Sequence, residues 1–153
     1  MSSIPPNARG KRFILIASRF NEPITRALIR GAETALRHAG ASARRIQLLW
    51  APGVFELPVV AVRAARMRPK PDAIIALGVL IRGQTPQYEV LAHAVAQGLS
   101  QVAVETGIPV TFGVVVAETV AQARARAGGS MGNRGQEAAL AALSVLHLFD
   151  TLT

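Results

Sequence analysis

The chain has no cysteine, only three histidines and only nine carboxylic side chains among its 153 residues. Without cysteine there is no disulfide to staple the fold and no thiolate to hold a metal. His38, His93 and His147 are too far apart in sequence to pair at ligand spacing, so no metal site is expected. Half the residues are hydrophobic, yet no apolar run is long and clean enough to span a bilayer. Residues 1–9 are short, polar and proline-rich, not charged and then apolar as in a secretory leader. A soluble, cytoplasmic protein is the expectation from this composition, and the length suits a single domain with a real core.

The shortage of acids leaves 17 Lys and Arg against 9 Asp and Glu, a formal charge of +8. That excess favours anionic partners, phosphorylated metabolites above all. The only local concentrations of base are Arg44-Arg45 and the set Arg63, Arg66, Arg68 and Lys70. No aromatic residues interleave with them and no nucleic-acid motif surrounds them. They read as a solvated basic face, and nucleic acid is not an expected partner.

Strand and helix patterns alternate along the chain. Strands are expected over 12–18, 45–50, 72–81 and 109–116, and helices over 22–39, 54–67, 86–106, 118–127 and 136–152. In the first helix Ile24, Leu28, Ala32 and Leu36 recur every four residues on one face, and Gly40 follows as a C-cap signal. His38, beside it, reads as a C-terminal cap partner. Residues 72–81 are almost continuously apolar, as in a strand covered on both faces. Residues 128–132 read as a flexible turn. The alternation predicts an α/β domain with a parallel four-stranded sheet between two helical layers and right-handed crossovers. Residues 1–11 have no place in that core. They are expected to form an arm, disordered or packed on a neighbouring subunit, with a possible extra strand within 1–10, while 12–153 form the domain.

The most informative stretch is 74–89. A buried strand ends in Arg82-Gly83-Gln84-Thr85, and Pro86 opens a helical pattern. Ligands of open α/β sheets bind at the carboxyl ends of strands. A helix start offers free N–H groups and a positive dipole end to an anion. Thr85 adds a hydroxyl and Arg82 a charge. Two readings stand side by side: a phosphate pocket, or an ordinary strand-to-helix loop with Thr85 as the helix cap.

Similar strand-end segments recur. Ser18-Arg19-Phe20-Asn21 follows the first strand, and Ala51-Pro52-Gly53-Val54-Phe55-Glu56-Leu57-Pro58 follows the second. Thr111-Phe112-Gly113-Val114 lies in the fourth, and Gly132-Asn133-Arg134-Gly135 with Glu137-Ala138-Ala139 comes after it. In this order and register the segments closely resemble the lumazine synthase family, from about Phe13 to the C-terminus. The resemblance implies a flavodoxin-like sheet of order 2-1-3-4 and a place in riboflavin biosynthesis. The implied reaction condenses 5-amino-6-(D-ribitylamino)uracil with 3,4-dihydroxy-2-butanone 4-phosphate. It forms 6,7-dimethyl-8-ribityllumazine, releases phosphate and water, and uses no cofactor and no metal. The resemblance also implies a pentamer with sites between adjacent subunits. A 60-subunit shell is expected in preference to a decamer, because the turn 126–133 is short and glycine-rich. Riboflavin synthase is a candidate partner.

Roles follow residue by residue from the same resemblance. Phe20, with Asn21, would stack on the flat pyrimidine, although a phenylalanine at a strand end is commonly core. Val54 and Phe55 would line the pocket. Glu56 would accept from ribityl hydroxyls, or else be a surface acid stabilised by a helix dipole. Leu80 and Ile81 would offer backbone groups to the pyrimidine edge, and Gly83, Gln84 and Thr85 would hold the phosphate. Arg126 matches the arginine that binds the butanone phosphate; its plain alternative is a surface arginine paired loosely with Glu118 or with nothing. Phe112 and Arg134 match positions that reach a neighbour's pocket, although the family often has lysine at the second.

One position departs from the pattern. Where the family carries a histidine as its proposed general acid and base, this chain has Gln87. Glutamine hydrogen-bonds but exchanges no proton near neutral pH. Neither His93, turned away along the same helix, nor His38 nor His147 is placed to substitute; Glu89 is nearer. Reduced activity is therefore expected from a synthase. The other readings are a ligand-binding homologue for flavin- or pterin-like molecules and a shell-forming homologue.

Overall fold

The computed structural model describes residues 7–152. β1 (Phe13–Ser18), β2 (Ile46–Ala51), β3 (Ala73–Ile81) and β4 (Val110–Ala117) form one parallel sheet of order β2-β1-β3-β4. The connecting helices are α1 (Glu22–His38), α2 (Leu57–Ala65), α3 (Gln87–Thr106), α4 (Val120–Ala125) and α5 (Arg134–Thr151). This is the doubly wound arrangement that the strand–helix alternation predicts. Because β1 is central, the chain reverses direction across the sheet between β1 and β3, which opens a crevice at their carboxyl ends.

Two apolar layers hold the sheet. Phe13, Leu15, Ala17, Ile75, Leu77 and Val79 point to one face, against Leu28, Ala32 and Leu36 of α1 and Ala139, Ala142 and Leu143 of α5. Ile14, Ile16, Ile74, Ala76 and Val114 point to the other, against Leu57 and Ala61 of α2 and Val95, Leu99 and Val102 of α3. Odd and even strand positions serve opposite faces, as the pleat requires. Burial on both faces explains the unbroken apolar run of β3. The predicted α1 face is confirmed in full: Ile24, Leu28, Ala32 and Leu36 are all buried.

Helices α1 and α5 touch at backbone distance. A methyl group on Gly135 would collide with the carbonyl oxygen of Leu28 and lie 2.7 Å from its carbonyl carbon, so only glycine fits. Asn133 caps α5 through Oδ1, which accepts from Gln136 N–H at 3.0 Å, and donates from Nδ2 to the Ala27 carbonyl at 3.1 Å. One side chain thus starts α5 and ties it to α1.

Several local expectations change. Val54–Glu56 is a 3-10 turn, and α2 starts only at Leu57 and ends at Ala65. The glycine-rich 128–132 is part of a small antiparallel hairpin, β5 (Ala127–Gly129) with β6 (Gly132–Asn133), because glycines with positive φ at 128 and 132 turn the backbone sharply. Residues 7–11 form no strand. They pack on their own chain, where Ala8 N–H donates to the Ala39 carbonyl at 2.9 Å and Lys11 lies 4.0 Å from Asp150. The rest of the expected arm and strand, residues 1–6, lies outside the described residues. Along α3, Val90 and Val104 stay exposed in the single chain. No helix among the described residues is long and apolar enough to cross a membrane.

Candidate functional site

Three strand-to-helix turns meet at the carboxyl edge of the sheet. The first leaves β1. Arg19 N–H extends the ladder to the Ala51 carbonyl at 3.0 Å, and Asn21 then takes the left-handed conformation, φ 56° and ψ 47°. Its carbonyl accepts from Ile24 and Thr25, which starts α1 after only three intervening residues. Phe20, in this turn, is 67 % exposed. Asn21 Nδ2 is shielded from solvent and lacks a hydrogen-bond partner among the described residues. A donor left in that state is costly unless something accepts from it.

A polar clamp braces this turn. The guanidiniums of Arg19 and Arg26 lie 4.8 and 5.0 Å from the centre of the Trp50 ring. Glu22 joins them, 2.9 Å from Arg26 Nε and 3.4 Å from Arg19 Nη1. The hydrogen bond from Arg26, with Arg19 beside it, holds the Glu22 carboxyl below its ordinary value. Sequence reading missed this clamp because Trp50 belongs to another strand. The spacing Arg19, Glu22, Arg26 on a helix start was its one visible trace.

The second turn leaves β2. Val54 is buried beneath it and packs into the α2–α3 layer. Phe55 is 62 % exposed. The Glu56 carboxylate folds back over Gly53, where an added methyl would stand 3.0 Å from Oε1. Phe55 and Glu56 edge a hollow of about 360 Å³ whose other wall is Ala94, Val95 and Gly98 of α3.

The third turn leaves β3. Leu80 and Ile81 are half-buried and pair with Val116 and Ala117, and Arg82 N–H donates to the Ala117 carbonyl at 2.9 Å. Gly83, Gln84 and Thr85 are exposed. Pro86 is the N-cap of α3, with no side-chain cap bond. Thr85 therefore does not cap the helix, and the first-turn N–H groups keep no side-chain partner. Gln87, the first residue of α3, is exposed. Behind it Tyr88 is buried and donates to Glu89 at 3.2 Å. Burial, then the Glu89 carboxylate, raises the phenol above its ordinary value and keeps it protonated.

The remaining candidates lie elsewhere. Arg126 and Arg134 flank the base of the β5–β6 hairpin, where Arg134 N–H donates to the Arg126 carbonyl at 2.8 Å. Glu118 pairs with Arg82 at 4.0 Å and Arg134 with Glu137 at 3.5 Å, while Arg126 enters no ion pair among the described residues. Phe112 pairs with Ala76 near the amino end of the β3–β4 ladder. It stands four residues before the partner of Leu80, roughly 13 Å away at strand rise. One chain therefore does not bring Phe112 to the turns that carry Phe20 and Glu56. A separate hollow of about 950 Å³, between α1, α5 and the hairpin, contains none of the predicted residues.

No group of three or more metal-binding side chains occurs among the described residues. Exposed Phe20 and Phe55, the Glu56 carboxylate and an uncapped helix start stand on the carboxyl-edge turns of a doubly wound sheet. That defines an α/β protein of the doubly wound class, whose ligands bind at the carboxyl ends of the strands. The family model described as 6,7-dimethyl-8-ribityllumazine synthase matches residues 10–150. A protein of that name from Gemmatimonas aurantiaca is 47 % identical over 145 residues, covering 95 % of this chain and 88 % of its own. Namesakes from Chlorobium phaeobacteroides and Thermus thermophilus are 46 % and 41 % identical, covering 94 % and 95 % of this chain and 92 % of each relative. The chain belongs to the 6,7-dimethyl-8-ribityllumazine synthase family.

Proposed function

We propose that the protein condenses 5-amino-6-(D-ribitylamino)uracil with 3,4-dihydroxy-2-butanone 4-phosphate to give 6,7-dimethyl-8-ribityllumazine in riboflavin biosynthesis. The observation that carries this reading is the family match across residues 10–150, on a chain whose three carboxyl-edge turns present Phe20, Glu56 and the 83–85 loop. Phe20 stacks on the pyrimidine. Asn21 Nδ2, an unused donor, finds its acceptor on the substrate. Glu56 accepts from ribityl hydroxyls, and the Leu80 and Ile81 backbone meets the pyrimidine edge. The phosphate sits on the 83–85 loop at the uncapped start of α3.

Arg126 and Arg134 act as one unit, because their backbones are joined at the hairpin base. With Phe112 out of reach of its own chain's turns, all three serve an adjacent subunit. Arg126, free of any ion pair among the described residues, supplies the guanidinium that holds the departing phosphate. A site divided in this way requires an oligomer. The exposed Val90 and Val104 of α3 and the short 126–133 hairpin suit pentamers closed into a 60-subunit shell, with sedimentation as the check. Gln87 positions the reactants and transfers no proton, so the rate rests on proximity and electrostatics. Purified protein with both substrates is expected to produce lumazine absorbance and free phosphate together. Tight binding of both substrates with no product would refute the assignment.

A further inference from the structure

The two basic stretches separated in sequence meet at the opposite end of the strands. Arg44 and Arg45, in the 3-10 turn before β2, and Arg68, after α2, line one small hollow with Arg12, just before β1. The hollow is about 110 Å³, and Phe13, Ile14, Met67, Pro69 and Pro71 contribute to its lining. Arg68 Nη1 donates to the Met67 carbonyl at 3.1 Å, which fixes that guanidinium at the rim. The Asp72 carboxylate accepts from the Arg12 backbone N–H at 2.7 Å and does not line the hollow. None of the four arginines enters an ion pair among the described residues.

We infer that this cluster is a second anion site, which takes the phosphate of a small phosphorylated or diphosphate-bearing molecule. Four arginines line one hollow with no ion-pair partner among the described residues, so an anion placed there meets uncompensated positive charge. Their planar forks match tetrahedral oxyanions better than ammonium groups do. The hollow has room for one phosphate, with a second reaching the exposed Arg44 and Arg68. The six residues of β1 separate it from the Phe20 turn, roughly 20 Å at strand rise, so it does not depend on the synthase reading.

Inorganic pyrophosphate is the probe, titrated calorimetrically into the assembled full-length protein at about 10 mM ionic strength, where charges are little screened. Arg126→Ala serves as the background, so that the phosphate site of the proposed reaction does not contribute. Binding is expected to persist in that background. It should weaken about fivefold in Arg45→Gln, the scale of one exposed charge at contact, and further in Arg44→Gln/Arg68→Gln. Arg30→Gln, an exposed arginine outside the hollow, should leave it unchanged. Absence of binding, or equal weakening by Arg30→Gln, overturns the proposal. So does a single-stranded oligonucleotide that binds through these arginines while pyrophosphate does not, since the face would then serve nucleic acid.

Discussion

Gly135→Ala tests whether the α1–α5 contact positions the two arginines assigned to the neighbouring site. The added methyl would meet the Leu28 carbonyl oxygen, its carbonyl carbon at 2.7 Å and its Cα at 3.0 Å. Carbon atoms sit comfortably at roughly 3.5–4.0 Å, so the helices must part by about an ångström. All three obstructing atoms are backbone, and no side-chain rotation relieves them. Overpacking of this kind costs about 1–3 kcal/mol, or more where backbone must move. Replacing glycine in a helix returns at most about 1 kcal/mol. A net loss near 2 kcal/mol should lower the melting temperature by about 4–8 °C for a domain of this size. Scanning calorimetry at fixed protein concentration, with parent and variant side by side, measures it. Because Arg134 precedes Gly135 and is bonded to Arg126, the KM for the butanone phosphate should rise as well. A variant as stable as the parent would refute the packing argument. A destabilised variant with unchanged KM would refute the positioning argument.

Arg126→Ala should raise the KM for the phosphorylated substrate about 10- to 100-fold, the worth of a charged hydrogen bond, and leave pyrimidine binding intact in steady-state kinetics. Gln87→His should raise kcat about 100-fold, the lower end of what general acid–base catalysis contributes, and change KM much less. Unchanged turnover would mean that this position takes no part in proton transfer. The Glu22 carboxyl lies below its ordinary 4.5, so its stabilising contribution is complete above that value and is lost as pH falls through the lowered one. Fluorescence of the single tryptophan, Trp50, should therefore hold steady from pH 7 to about 4.5 and change only below it, and Glu22→Gln should abolish that change.

The layers of the fold were legible because burial writes itself into periodicity: Ile24, Leu28, Ala32 and Leu36 in α1, and the apolar run of β3. The carboxyl-edge turns were legible because Phe20, Gly53 and Gly83 stand where strand patterns stop. The hairpin at 127–133 was not, since its glycines carry no alternation to reveal a strand. Neither was the distance of Phe112 from the turns of its own chain, which depends on the β3–β4 register. The Trp50 clamp and the meeting of Arg12, Arg44, Arg45 and Arg68 arise when separate elements come together, and no local pattern encodes them.

The central claim is a catalytic site divided between subunits, and mixed oligomers test it most directly. Glu56→Ala impairs the carboxyl-edge half and Arg126→Ala the hairpin half. Each homogeneous oligomer should be nearly inactive. Co-expression at equal levels should leave about a quarter of the interfaces with two intact halves, and lumazine formation should return to about that share of the parent rate. Mixed oligomers as inactive as either variant alone would contradict the account.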